Sequence, residues 1–243
     1  LNCILPSQAT VHEPVEFFVK GEDKWRNPTS APENLSYRWV GNHQATIENG
    51  YLTVTTPDAG YLVVESDNPH LVCESNPIVF QAQPDTIRHY WGDLHAQTKS
   101  TVGTGDEDEY FTFGRDIARL DFASHQGNDF QITDEYWQHL NDISDKYHED
   151  GKFVVFPGYE WSANSPAGGD HNVFYRKVGQ PILRSSHWLV PHIPETDLTP
   201  ANPADVFYEK MKAHVPLEDV IVAAHVGGRY ANLRKHYDQD LVT

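Results

Sequence analysis

In Tyr51-Leu-Thr-Val-Thr-Thr apolar and polar positions alternate with a period of two, the pattern of a strand buried on one face only. Val15–Lys20, Leu35–Val40, Tyr61–Glu65 and Ile78–Gln83 are similarly short and rich in valine, threonine and aromatic residues. Turn signals separate them: Asn27-Pro28, Glu48-Asn49-Gly50, Pro57-Asp58-Ala59-Gly60 and Asn76-Pro77. Residues 1–84 therefore predict a small antiparallel β-sandwich, and Gln83-Pro84-Asp85 reads as its junction with the second part of the chain. From there the spacing lengthens. Glu107–Arg119 and Thr133–His148 predict helices, the second with Trp137, Leu140, Ile143 and Tyr147 on one face. Ala204–Ala213 predicts a third. Leu120–Ser124, Lys152–Phe156, Val173–Tyr175 and the wholly apolar Val220–Ala224 predict strands between them. Alternating strands and helices over residues 85–243 imply an α/β architecture. The strands are too few to close a barrel of typically ~250 residues, so the domain is expected to continue past Thr243.

Composition narrows the function classes. Acidic side chains number 35 against 18 basic, a formal charge of -17, which disfavours a phosphate-backbone partner because nucleic-acid binding relies on a basic surface. No run approaches the roughly 18 apolar residues of a membrane span, and none is expected. Both cysteines, Cys3 and Cys73, lie in the first part, as a disulfide or as two buried apolar side chains. Of 14 histidines, three lie in residues 1–84 and eleven in residues 85–243. A metal site in the second part would thus be built from nitrogen and oxygen donors, which suit zinc, manganese or iron.

The position of these donors carries more than their number. His95, His125, Glu160, His171 and His225 each follow a predicted strand or sit in a glycine-flanked turn beside one. Strand ends on one rim converge in space, so these five could face one pocket, with the Glu160 carboxylate as the natural bridge between ions. A single histidine at such a place is more often a hydrogen-bonded structural residue; the repetition shifts the balance. Asp129, in Gln126-Gly-Asn-Asp129, reads either as a ligand or general base or as a turn former. Arg229 and His187 read as holders of a substrate phosphate or carboxylate, or as loop-fixing residues. Asp106-Glu-Asp-Glu109 fits a helix N-terminus, where negative side chains complement the helix dipole. Neither a nucleophile elbow nor a glycine-rich phosphate loop occurs.

Tyr90-Trp-Gly-Asp-Leu-His-Ala-Gln-Thr, Phe113-Gly-Arg-Asp-Ile-Ala-Arg-Leu-Asp-Phe with its closing His125, and Phe156-Pro-Gly-Tyr-Glu-Trp resemble the polymerase and histidinol phosphatase (PHP) superfamily. More closely, they resemble a branch of large microbial proteins of unassigned function in which a small β domain precedes the PHP-like one. The resemblance implies a distorted α/β barrel of about seven strands holding one to three ions of zinc, manganese or iron. Position by position it implies His95, His125, Glu160, His171 and His225 as ligands. Gln97 stands where the second histidine of the opening His-x-His is usual and is counted with them as a metal-site residue, and Ser124 stands where an aspartate is common. The closing Asp-x-His has no counterpart before Thr243.

These readings predict a metal-dependent hydrolase using metal-activated water, with Glu160, His225, Arg229 and Asp129 as catalytic groups and a small, anionic substrate. A phosphoester is the default by resemblance. A carboxylic ester, lactone or amide is the first rival, since activated water attacks carbon as well as phosphorus. A non-enzymatic binding protein with a weakened PHP-like domain is the second. The residues assign no oligomeric state.

Overall fold

The computed structural model describes residues 1–163, 167–186, 189–190 and 198–225. The chain forms two compact units, Leu1–Tyr90 and Trp91–Thr243. The first contains β1 (Asn2–Ile4), β2 (Gln8–Thr10), β3 (Val15–Glu16), β4 (Phe18–Glu22), β5 (Pro28–Thr29), β6 (Leu35–Val40), β7 (Ala45–Glu48), β8 (Tyr51–Val54), β9 (Asp58–Ser66), β10 (Val72–Glu74) and β11 (Ile78–Gln81). They form three small sheets, β1-β4-β5, β3-β8-β7 and β10-β9-β11-β2, with β6 pairing with β9 in the last. Sandwich character is present, yet not every pair is antiparallel, because β2 runs parallel to β11. The alternation in β8 does what it predicts: Leu52 and Val54 are wholly buried while Tyr51 is exposed. They pack with Leu62, Val64, Ile78 and Phe80 in one core.

Of Pro57-Asp58-Ala59-Gly60, expected as a turn, the last three residues instead open β9. Its turn-type residues serve close packing. The buried Asp58 carboxylate accepts the His43 N–H at 2.9 Å, and a Cβ on Gly60 would lie 2.2 Å from the Val40 carbonyl oxygen and 2.6 Å from the Trp39 ring. Cys3 and Cys73 are both free thiols. Burial, and secondarily the neighbouring Cys73, pushes the Cys3 thiol up to about 12.

The second unit opens with β12 (Gly92–Ala96), α1 (Glu107–Thr112) continuing into a π-helical turn (Phe113–Ile117), β13 (Phe122–His125), α2 (Asp134–Tyr147) and β14 (Val154–Val155). Asp106 caps α1 in a capping box with Glu109, as its acidic start suggests, and Thr133 caps α2 by accepting the Tyr136 N–H. The three strands form a parallel sheet, β12-β13-β14. The apolar face of α2 spans two cores: Trp137 and Leu140 pack in one, Ile143 and Tyr147 in the other.

Beyond β14 the expected barrel is overturned. β15 (Gly158–Trp161), β16 (His171–Tyr175) and β17 (Val220–Ala224) form a separate antiparallel sheet, β15-β16-β17, and α3 (Ala204–His214) precedes β17. Only Phe156 and Pro157 separate β14 from β15, whereas a parallel crossover needs about a dozen residues. The chain therefore enters a new sheet rather than adding another strand–helix unit of a (β/α)7 barrel. Among the described residues there are three α-helices against seventeen strands in several small sheets. No helix there is long and apolar enough to cross a membrane.

The two sheets of this unit are stitched together by the loop after β13. Gly127 accepts the Glu160 N–H at 2.9 Å, Asn128 bridges to Glu160, and the Gln126 Nε2 donates to the Val173 carbonyl. Gly158 permits this approach, since a Cβ there would lie 2.3 Å from the Gln126 Nε2.

Candidate metal centre

Strand register decides which side chains meet. In the β15-β16-β17 sheet Glu160 pairs with Asn172 and Trp161 with His171, while His171 pairs with Ala224 and Asn172 with Ala223. Because successive residues point to opposite faces, Glu160, Asn172, Ala223 and, continuing the parity, His225 share one face. Tyr159, Trp161, His171, Val173 and Val222 share the other, which is the core face. The ladder extends one step past β17, where the Asp170 carbonyl accepts the His225 N–H at 2.9 Å.

His95 reaches the same place from the parallel sheet. Asp93 pairs with Ala123 but Ala96 with His125, so β12 carries one extra residue, a bulge. The Asp93 carboxylate accepts the His95 N–H at 2.9 Å and holds that bulge. His95 Nε2 lies 3.4 Å from Glu160 Oε2, and His225 Nδ1 lies 3.9 Å from the same oxygen. The two imidazoles stack at 4.1 Å between centroids. Each of the three residues offers a donor atom within 4.8 Å of the other two. Four donors about 2.1 Å from one ion in a tetrahedron lie roughly 3.4 Å apart. Two of the separations are already near that spacing, and the donor set, two imidazoles and a carboxylate, suits zinc, manganese or iron.

Glu160 is presented rather than loose. Its Oε1 accepts from Asn128 Nδ2 at 3.0 Å and from the Ser162 hydroxyl at 3.2 Å, which leaves Oε2 to the histidines. Burial, followed by the nearby Asp170 charge, raises its carboxyl to about 7 against the pull of Ser162 and Asn128. Burial and then His95 lower the His225 pKa. Glu160 is 4% exposed, whereas the His95 and His225 side chains are 39% and 31% exposed, so the cluster opens to solvent on its histidine side.

Other expected ligands lie elsewhere. His171 is fully buried on the core face, its ring edge-on to Trp161 at 5.5 Å and to Tyr208 at 5.6 Å, and its Nδ1 donates to the Gly169 carbonyl. The one-residue parity of the strand separates it from Glu160. His125 is buried with both ring nitrogens engaged: Nδ1 accepts the Gly127 N–H at 3.3 Å, and Nε2 lies 3.0 Å from the Thr98 hydroxyl. The one lone pair of the neutral ring, on Nδ1, is taken up by the Gly127 N–H, and Nε2 carries the proton towards Thr98. Burial lowers its pKa to about 4, with the Glu107 charge opposing. The Gln97 side-chain oxygen is buried and finds no hydrogen-bond partner among the described residues.

Asp129, expected as a ligand, base or turn former, is an internal tie. Fully buried, it accepts from the Ser162 N–H at 2.7 Å and from both the N–H and the hydroxyl of Ser185. Its carboxyl is raised to about 7 by burial despite those bonds. Arg229 and His187 lie outside the described residues.

Two features escape a reading of the residues alone. Asn172 faces the cluster, with its Oδ1 3.1 Å from His95 Nδ1; its signal is the odd place it holds beside His171 in a strand. Glu107, at the start of α1, forms a second polar knot. It accepts from Thr98 and Tyr136 hydroxyls at 2.5 Å each, with His139 Nε2 3.7 Å away. Burial acts to raise its carboxyl, but these bonds outweigh it and hold the pKa at about 2. An acidic helix start explains Asp106 and Glu109 but gives no sign that Glu107 turns inward.

Residues 107–187 match a family described as a protein of unknown function (DUF3604). No curated protein and no solved structure matches the chain.

Proposed function

We propose that the second unit is a metal-dependent hydrolase whose ion is held by His95, Glu160 and His225. The reading rests above all on the meeting of two imidazoles and one buried carboxylate, at ligand-like spacing, on a face open to solvent. The residues that resemble the PHP superfamily, Gly92-Asp-Leu-His95 and Pro157-Gly-Tyr-Glu160, supply two of the three donors and support the same chemistry. Three protein ligands leave a tetrahedral ion one position for water or substrate, the arrangement of catalytic rather than structural sites.

A divalent ion there would supply Lewis acidity, bringing the pKa of a water towards neutrality and collecting negative charge in the transition state. The chain's own contribution is positional. Asn128 and Ser162 aim Glu160 Oε2 at the histidines, the β12 bulge aims His95, and the β16-β17 ladder aims His225. The exposed side of both imidazoles is the side a substrate can approach.

A phosphoester is the proposed substrate class. A carboxylic ester, lactone or amide is a second reading, favoured by the donor count: among the described residues the cluster gathers ligands for one ion, where phosphoesterases of the resembled superfamily hold up to three. Metal analysis of the purified protein, followed by hydrolysis of aryl phosphates against aryl esters by wild type and Glu160→Gln, tests both. About one bound transition metal per chain and phosphatase activity abolished in Glu160→Gln are expected. Activity unchanged in that variant would remove the mechanism for either substrate.

A further inference from the structure

The face that carries Glu160 and His225 also carries Asn172, directly opposite Glu160 across the β15-β16 ladder. Asn172 is 9% exposed, and its Oδ1 lies 3.1 Å from His95 Nδ1. The opposite edge of the same ring points Nε2 at Glu160 Oε2. An imidazole nitrogen facing an amide oxygen must carry the proton, because the oxygen can only accept. With the proton on Nδ1, the neutral ring keeps its lone pair on Nε2, the nitrogen aimed at the cluster. Which nitrogen of a histidine can ligate is set by the partner of the other.

We propose that Asn172 is a positioning residue for the metal centre: its side-chain oxygen holds His95 in the Nδ1–H tautomer and at the ring orientation that presents Nε2 to the ion. The inference rests on the three-donor reading of the site, but concerns a residue that donates no ligand itself. His95 needs such a support more than His225 does. It sits on a bulge of a strand in a different sheet, its side chain is 39% exposed, and Asn172 reaches across to the Nδ1 side of its ring from the sheet that carries the other two donors. The neighbouring position in the strand cannot substitute, since His171 points into the core.

The test compares wild type with Asn172→Leu, which keeps the branched shape and removes the acceptor, and Asn172→Asp, which keeps the acceptor. Zinc affinity is measured by competition with a chromophoric chelator, and the cobalt-substituted proteins are compared by visible absorption. Far-ultraviolet circular dichroism controls for folding. Removing an outer-shell partner of a ligating histidine typically lowers metal affinity about 10–100-fold. Asn172→Leu is expected to lose that much and to show an altered cobalt spectrum. Asn172→Asp is expected to recover most of the affinity and the wild-type spectrum. Equal affinity and spectrum in wild type and folded Asn172→Leu would overturn the inference while leaving the three-donor site intact. Equal loss in both variants would overturn it too, by showing that packing and not the acceptor matters. A wild-type protein that binds neither zinc nor cobalt would remove the metal reading itself, and the inference with it.

Discussion

A site built to hold a cation should weaken the protein when the cation is absent, and Glu160→Gln measures that cost. In the metal-free protein the Glu160 carboxyl is raised from its ordinary 4.5 to about 7, by burial first and then by Asp170. For an acid whose pKa is higher in the folded than in the unfolded chain, the folded state holds more protons between the two values. Stability therefore falls as pH rises through that window, here from about 4.5 to about 7, and the penalty is constant above it. At about 1.4 kcal/mol per pH unit, the full rise from 4.5 to about 7 corresponds to roughly 3 kcal/mol as an upper bound. Glutamine has the same shape and can keep the bonds from Asn128 and Ser162 through its oxygen, but it does not ionise. In urea titrations with chelator present, Glu160→Gln is expected to be more stable than wild type at pH 8 and equal to it at pH 4. Adding zinc is expected to stabilise wild type and not the variant, by about 2.7 kcal/mol at a hundredfold excess over Kd. A variant less stable than wild type at pH 8 without metal, or a gap that does not change with pH, would refute the account of Glu160 as a charge buried in wait for a cation.

The Glu107 knot should show the opposite slope. Its carboxyl is held down at about 2, so its contribution is present above about 4.5 and lost as pH falls towards 2; Glu107→Gln should therefore be destabilising at pH 7, with the gap to wild type closing in acid denaturation profiles. His225→Ala should abolish stoichiometric metal binding in elemental analysis while the fold persists, since its side chain is partly exposed and lies past the end of β17. Phe207 is fully buried and stacked on Trp161 at 4.7 Å, so Phe207→Ala should cost about 3–5 kcal/mol in chemical denaturation, far more than any change at the open rim.

Local chemistry was legible wherever it acts through nearby residues. The Trp137, Leu140, Ile143 and Tyr147 stripe marks α2 and its buried face, Thr133 and Asp106 mark the helix starts, and Leu52 and Val54 mark the inner side of β8. Periodicity and capping are properties of neighbours three or four residues apart, or two in a strand, so a linear reading recovers them. The same reading shortlists His95, Glu160 and His225 as donors at the ends of strands. Which of the five shortlisted donors meet was decided only by the fold. His171 and Asn172 are adjacent in the chain and point to opposite sides of one strand; the register against Glu160 puts the histidine in the core and the amide beside His95 and Glu160. His125 is withdrawn by Thr98 and Gly127, which occupy its two nitrogens. The direction of β16 against β15, antiparallel where a barrel would need parallel, likewise depends on a connection and a partner strand that no local window contains. Hydrogen-bonding partners of strands are chosen across long sequence separations, and a shift of one residue exchanges every side chain between the two faces; that is why donor types could be read from the chain and their company could not.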